Sequence, residues 1–169
     1  MATRAEASPD AVGPVAPLAA DLGWLLGQAS HTLATEQTAA LEGLGISPRS
    51  YCLLSTAMTG DYTQIELAQK VGLDKTTMVV TLDELEAAGL AERRPAPEDR
   101  RARVVAVTDA GRRKVEQGRE IVDGIQADVL GALPARERQV FVDALGRLVG
   151  DRLSHPAPCS QPLRRRAPR

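Results

Sequence analysis

The sequence predicts a mainly α-helical fold with one small β-hairpin set inside the helical frame. Three observations predict it. Apolar residues recur at helical spacing over most of residues 18–88 and 109–153. A single β-branched run, Val104, Val105 and Val107, faces Leu90–Arg94 across a loop holding Pro95, Pro97, Glu98 and Asp99. Aromatics are scarce, one Trp, two Tyr and one Phe, so the 43% of hydrophobic residues must pack as Leu, Val, Ile and Ala, which suits helices.

The elements follow in order. Residues 1–17 are Ala- and Pro-rich without periodicity and read as a flexible tail. A first helix starts near Leu18 to Asp21, with Leu22, Leu25, Leu26, Ala29, Leu33, Gln37 and Leu41 as a stripe, and ends at Gly43 and Gly45. Ser47-Pro48 opens a second helix as N-cap and first-turn proline; it runs through Tyr51, Leu53, Leu54 and Met58 to Gly60. Thr63 and Glu66 form a T-x-x-E capping box for a short third helix, with Ile65, Leu67, Ala68 and Val71 expected inside. Gly72 makes a turn, Asp74 caps a fourth helix with Met78, Leu82, Leu85 and Ala88 expected inside, and Gly89 stops it.

Two strands, Leu90–Arg94 and Arg103–Val107, follow. Thr108 caps a fifth helix extended by Ile121, Ile125, Val129 and Leu133, and Pro134 interrupts it. A sixth helix spans about Ala135 to Leu153, with Val140, Phe141, Leu145, Leu148 and Val149 as its apolar residues. Residues 154–169 are Pro/Arg-rich and read as a basic, disordered tail. No internal repeat is present. The expected organisation is a domain over 18–153, with an inner part that holds the hairpin at about 46–108 and outer helices at about 18–42 and 109–153.

Bulk properties exclude several classes. The net charge is −1, so the chain as a whole is not a basic DNA-coating protein. Charge is nonetheless uneven: segment 93–103 holds Arg93, Arg94, Arg100, Arg101 and Arg103 against Glu98 and Asp99. Two cysteines, Cys52 and Cys159, lie far apart without metal spacing, which argues against a zinc site and a disulfide-rich fold. No signal peptide and no apolar run long enough for a membrane span is seen, so the cytoplasm is the expected compartment. With two histidines and no nucleophile elbow, phosphate loop or paired carboxylates, no enzyme, metal or cofactor is expected.

The segment from Gln64 to Gly111 carries the functional signal: short helix, turn, longer helix, arginine-studded hairpin. That is the plan of a winged helix-turn-helix. One helix lies across a duplex and sets a second into the major groove. The second helix offers Lys75, Thr76, Thr77, Val79 and Val80 at its N-terminal end. Threonines suit base edges or phosphates, and valines suit thymine methyls. The helix N-terminus itself favours a phosphate. Arg100, Arg101 and Arg103 are candidates for the minor groove, with Asp99 orienting Arg101, and Arg93 and Arg94 for phosphates. The alternative is that helix 74–88 is an ordinary amphipathic core helix and the arginines form a solvated edge that blocks aggregation, a reading that suits the helix taken alone. It does not account for helix, turn, helix and hairpin together.

Residues about 18–152 resemble the MarR family of bacterial transcription regulators. The matching stretches are S-P-R-S-Y-C-L-L-S-T-A at 47–57, T-Q-I-E-L-A-Q-K-V-G-L-D at 63–74, L-D-E-L-E-A-A-G-L-A-E-R-R at 82–94 and D-R-R-A-R-V-V-A-V-T-D-A-G at 99–111. The last is the family's wing signature. The resemblance implies an obligate homodimer built by the terminal helices, a recognition helix in the major groove, and a wing arginine, here Arg101 supported by Asp99, in the minor groove. The chain departs from the family where arginine is often found: it has Val80, Glu84 and Ala88. With Asp83, Glu84 and Glu86, the second half of the recognition helix is acidic, so DNA affinity is expected to lean on Lys75, the helix N-terminus and the wing.

The resemblance also implies a small anionic or phenolic effector that releases a repressor from double-stranded DNA. Trp24 and His31, seven residues apart on one helix face, are candidate pocket residues, and Asp74, Arg103 and Arg119 echo urate- or aconitate-responsive members. Oxidant-sensing members carry a cysteine near the start of the first helix, which this chain lacks; Cys52 reads as a small core residue and Cys159 lies in the tail. Two alternatives stay open: a redox-responsive repressor, and a winged-helix protein-interaction module without DNA binding, favoured by the acidic recognition helix.

Overall fold

A computed structural model describes residues 18–96 and 103–154. Asp99, Arg100, Arg101 and Cys159, with the expected tails at 1–17 and 155–169, lie outside the described residues. The elements are α1 (Leu22–Leu41), a 3-10 turn (Glu42–Leu44), α2 (Pro48–Ala57), α3 (Gln64–Val71), α4 (Lys75–Ala87), β1 (Ala91–Pro95), β2 (Arg103–Val107), α5 (Asp109–Gly131) and α6 (Ala135–Gly150). The chain divides into two compact units between Ile125 and Gln126, inside α5.

In the first unit, α2, α3, α4, the hairpin and the first half of α5 enclose one core. Leu53, Leu54, Leu67, Met78, Leu82 and Val115 are fully buried there, joined by Leu85, Leu90, Val105 and Val107. The hairpin is antiparallel, pairing Ala91 with Val107 and Arg94 with Val104. The chain before α3 adds to its edge: Thr63 bridges Val104, and the Val105 amide donates to the Tyr62 carbonyl at 2.9 Å. That contact fixes α3 to the hairpin on the side opposite α4's connection.

The fifth helix is locked onto the turn after α4. The Thr108 amide donates to the Leu90 carbonyl at 3.1 Å, and the Thr108 hydroxyl donates to the Gly89 carbonyl at 2.7 Å while accepting from the Gly111 amide at 3.1 Å. The helix approaches so closely that a Cβ on Gly111 would stand 2.1 Å from the Leu90 carbonyl oxygen and 2.7 Å from Val107 Cγ1. Only glycine fits there. Further along, Gly118 lets the Tyr51 ring lie against the same helix.

Several expectations need correction. Ile65 is not inside but 71% exposed. It stands two residues from the fully buried Leu67, about 200° around the helix, so both cannot face the core. Ala88 is exposed because α4 ends at Ala87 and the chain turns away at Gly89. Cys52 is exposed, not a core residue. The first strand starts one residue later than expected and takes in Pro95, opposite Arg103 at the open end of the ladder. The sixth helix stops at Gly150, with turns through Ser154.

In the outer helices burial is sparse. Leu41 is the buried residue of α1, and α6 has none. Leu22, Leu25, Val140, Phe141, Leu148 and Val149 are large, apolar and exposed.

Candidate nucleic-acid interface

The sequence builds the helix-turn-helix from its caps. At the start of α3 the Glu66 amide donates to the Thr63 hydroxyl at 3.3 Å, and Glu66 Oε2 accepts from the Thr63 amide and hydroxyl, both at 2.8 Å. These bonds, with Lys70 one turn away, hold the Glu66 carboxyl below the usual carboxylate range. The helix ends at Gly72, whose φ of +68° is the left-handed conformation that a side chain would strain. The Leu73 amide then donates back to the Ala68 carbonyl at 2.9 Å, which satisfies an end carbonyl and brings Leu73 against the core. Lys70 lies over the Tyr62 ring, 4.7 Å from its centroid.

Asp74 caps α4. Its carboxylate accepts from the Thr77 amide at 3.0 Å and the Thr77 hydroxyl at 2.6 Å, and these bonds lower its pKa. Past the cap the helix is two-faced. Met78, Thr81, Leu82 and Leu85 are buried, while Lys75, Thr76, Val80, Asp83, Glu84 and Ala87 are exposed and Thr77 and Val79 are half-buried. The outward face therefore begins with a cation, a hydroxyl and an apolar residue, with Val80 51% exposed, and turns acidic in its second half. Thr77 differs from Thr76: its hydroxyl proton is committed to the cap.

The hairpin sorts its arginines by alternation. Ala91, Arg93 and Pro95 share one face, and Ala91 is buried in the core, so Arg93 is carried toward α4. There its guanidinium pairs with Asp83, at 2.7 Å, and with Glu86, and its amide donates to Glu86 Oε1 at 2.7 Å. Arg94, on the other face, is exposed and pairs with Glu92. Arg103 is exposed at the start of β2. Arg101, with Asp99 and Arg100, lies outside the described residues.

The expected effector residues are spread over three elements. Trp24 is half-buried and His31 exposed on α1, Asp74 is spent on the α4 cap, and Arg119 is exposed on α5. Described residues of the first unit line two clefts of note. One, about 620 Å³, is lined by Thr35, Thr38, Ala39, Glu42, Ile46 and Ser47. The other, about 350 Å³, lies between α3 and α4 beside Gln64, Ile65, Gln69, Leu73, Lys75 and Met78. Neither is lined by Trp24, His31, Asp74 or Arg119. No group of three or more His, Cys, Asp or Glu side chains that could hold a metal occurs among the described residues. No described helix is long and apolar enough to cross a membrane.

Sequence reasoning missed the Arg93 pairing, although both halves of its signal were present. Period-2 alternation from the apolar Ala91 places Arg93 on the inner face, and Asp83 and Glu86 are i, i+3 neighbours on α4. It also missed buried Thr81 and the close approaches at Gly111 and Gly118, which depend on where α5 lies.

Three helices around a capped turn, with a two-stranded hairpin on the second helix of the pair, make this a winged helix-turn-helix protein. Comparison with known proteins supplies the family. Residues 44–102 match the profile of the MarR family. A transcriptional regulator structure, PA3341, is 30% identical, with a TM-score of 0.69 over 79% of this chain and 98% of that one. CouR from Rhodococcus jostii RHA1, solved with p-coumaroyl-CoA, is 28% identical with a TM-score of 0.71 over 85% of this chain and 98% of its own; CouR solved on a 23-mer DNA duplex superposes at the same TM-score. The uncharacterized HTH-type transcriptional regulator YdgJ of Bacillus subtilis (strain 168) is 32% identical over 105 residues, 62% of this chain and 64% of its own length. The chain belongs to the MarR family.

Proposed function

We propose that this chain is a sequence-specific DNA-binding transcriptional regulator: a repressor that binds a pseudo-palindromic operator as a two-fold homodimer and is released by a small anionic or phenolic ligand. The observation that carries the reading is the outward N-terminal face of α4, Lys75, Thr76 and Val80, set beside a hairpin bearing Arg94 and Arg103. That face matches what a major groove takes: short hydroxyl and apolar groups for base edges and a cation for phosphate. The acidic second half of the outward face would be repelled by phosphates, so the groove is read by the first turns of the helix only. Asp74 places a carboxylate at the helix start, which weakens a phosphate site there and shifts the phosphate contacts to Lys75 and the wing.

The likeness to CouR supports both halves of the reading, since CouR has been solved on a DNA duplex and with p-coumaroyl-CoA, a ligand that is phenolic at one end and anionic at the other. The dimer is supported by the exposed apolar residues of α1 and α6. A redox-responsive variant of the function draws no support from Cys52: although the residue is exposed as a whole, partial desolvation of its thiol pushes the pKa up and away from the reactive thiolate.

The test is a gel-shift titration of the full chain on the DNA flanking its own gene, at several salt concentrations. A shift whose affinity falls steeply with salt is expected. No salt-dependent shift would leave a protein-interaction module as the better account. Within the shift, Arg101→Ala is expected to weaken binding more than Lys75→Ala; equal losses, or none for Arg101→Ala, would overturn that ranking. Quenching of Trp24 by p-coumaroyl-CoA, with release of the operator, is expected if α1 lines the effector pocket.

A further inference from the structure

The Asp83–Arg93–Glu86 cluster joins the wing to the recognition helix at one point. We infer that Arg93 is a positioning residue, a latch that fixes the pitch of the hairpin against α4, and that it makes no phosphate contact. The inference rests on the DNA-binding reading. It assigns to the acids of α4, out of place on a DNA-reading helix, the job of holding the wing.

Three bonds make the latch. Arg93 Nη2 donates to Asp83 Oδ1 at 2.7 Å, Nη1 donates to Glu86 Oε2, and the Arg93 amide donates to Glu86 Oε1 at 2.7 Å. The side chain sets the fork and the backbone bond sets the strand itself. Glu86 therefore grips both ends of one residue, a stiffer link than a surface ion pair. Arg93 and Glu86 are also only 28% and 30% exposed, which reduces screening, while Asp83 is more open at 58%. A planar guanidinium suits two carboxylates on successive turns of a helix, where a point-like ammonium engages one at a time.

The location gives the latch leverage. The chain leaves α4 at Gly89, and Arg93 comes two residues into β1. From there the hairpin runs on to its open end at Pro95 and Arg103. A small rotation at Arg93 is magnified toward that end. Arg94 shows the contrast: one residue on, it is exposed and, among the described residues, pairs with the half-buried Glu92 of its own strand rather than with α4.

Electrostatics and positioning predict opposite signs, which makes the inference testable. Removing two carboxylates from a DNA-binding surface raises affinity if charge alone matters. The latch requires the reverse. Operator affinity and its salt slope are measured by fluorescence anisotropy for wild type, Asp83→Asn/Glu86→Gln, Arg93→Ala and Arg93→Lys, with far-UV circular dichroism to register folding. Expected are losses of tenfold or more for the nearly isosteric carboxylate double variant and for Arg93→Ala, an unchanged salt slope for Arg93→Ala, and partial rescue by Arg93→Lys. A carboxylate variant that binds as tightly as wild type or more tightly overturns the latch. So does a fall of about one in the salt slope of Arg93→Ala, the mark of a lost phosphate contact. Should Arg93→Ala not fold, the carboxylate double variant decides alone. Absence of a salt-dependent wild-type signal overturns the DNA-binding reading together with the latch; a normal wild-type signal with either contrary result overturns the latch alone.

Discussion

The winged lobe and the outer helices use the same residue types to different ends. In the lobe, Leu53, Leu54, Leu67, Met78 and Leu82 are fully buried. On α1 and α6, Leu22, Leu25, Val140, Phe141 and Val149 stay exposed. Helical periodicity alone does not separate the two cases, because an apolar stripe states that a face wants cover and says nothing of what covers it. The lobe closes its core within one chain because short caps and glycines bring four elements and a hairpin together. The outer helices offer a face that, in the proposed dimer, a second copy covers.

Substitutions can break or sharpen this contrast. The largest effect is expected from Leu82→Ala, which opens a cavity where α4 meets the lobe core: about 2–5 kcal/mol of stability lost in urea denaturation. A loss under about 1 kcal/mol would mean the lobe core is not the tightly packed region that its burial indicates. Gly111→Ala should cost about 1–3 kcal/mol or more, since its Cβ meets a backbone carbonyl that cannot yield without moving α5. The same measurement at Gly124, which has open space around it, should show no steric penalty. Thr63→Ala, which removes the α3 cap, is expected to cost about 1 kcal/mol.

On the outer helices the expected effect changes kind. Val140→Ser with Val149→Ser should leave the secondary structure intact and shift the mass in sedimentation velocity toward monomer at low micromolar concentration. An unchanged mass would remove α6 from the dimer surface.

Acid should act on the lobe's caps with the smallest effect. Glu66 and Asp74 have folded-state pKa values below their ordinary ones, through hydrogen bonds from Thr63 and Thr77. Their contribution is therefore full above the ordinary carboxylate values, near pH 4, and is lost as pH falls through the lowered folded ones. The difference in urea midpoint between wild type and Glu66→Gln should be present at pH 7 and shrink as pH falls through the lowered folded-state value of Glu66. A constant difference would show that the capping box does not depend on its charge.

Much of the lobe was legible in the chain because its signals are local. Thr63 with Glu66, Gly72, Asp74 and Ser47-Pro48 each act within one turn of backbone, and the structure places each cap where the sequence put it. The errors came where phase or neighbourhood decides. Ile65 looked like a core residue until its angle to Leu67 was fixed, and Cys52 looked like a core thiol until α2 was packed. The candidate interface was legible as a set of residue types on α4 and the hairpin. The acidic partners of Arg93 on α4 became plain only in the structure.

What the sequence by itself determined is the order of helices and strands, their caps, and the family, since these follow from side-chain chemistry within a few residues. Only the tertiary structure decided which carboxylates meet the inward-facing Arg93, that Gly111 must be bare, and that large apolar residues of α1 and α6 stay exposed among the described residues. The physical reason is common to all three. Each depends on which distant segment arrives beside a residue, and burial, ion pairing and close approach are properties of neighbours that no local spacing encodes.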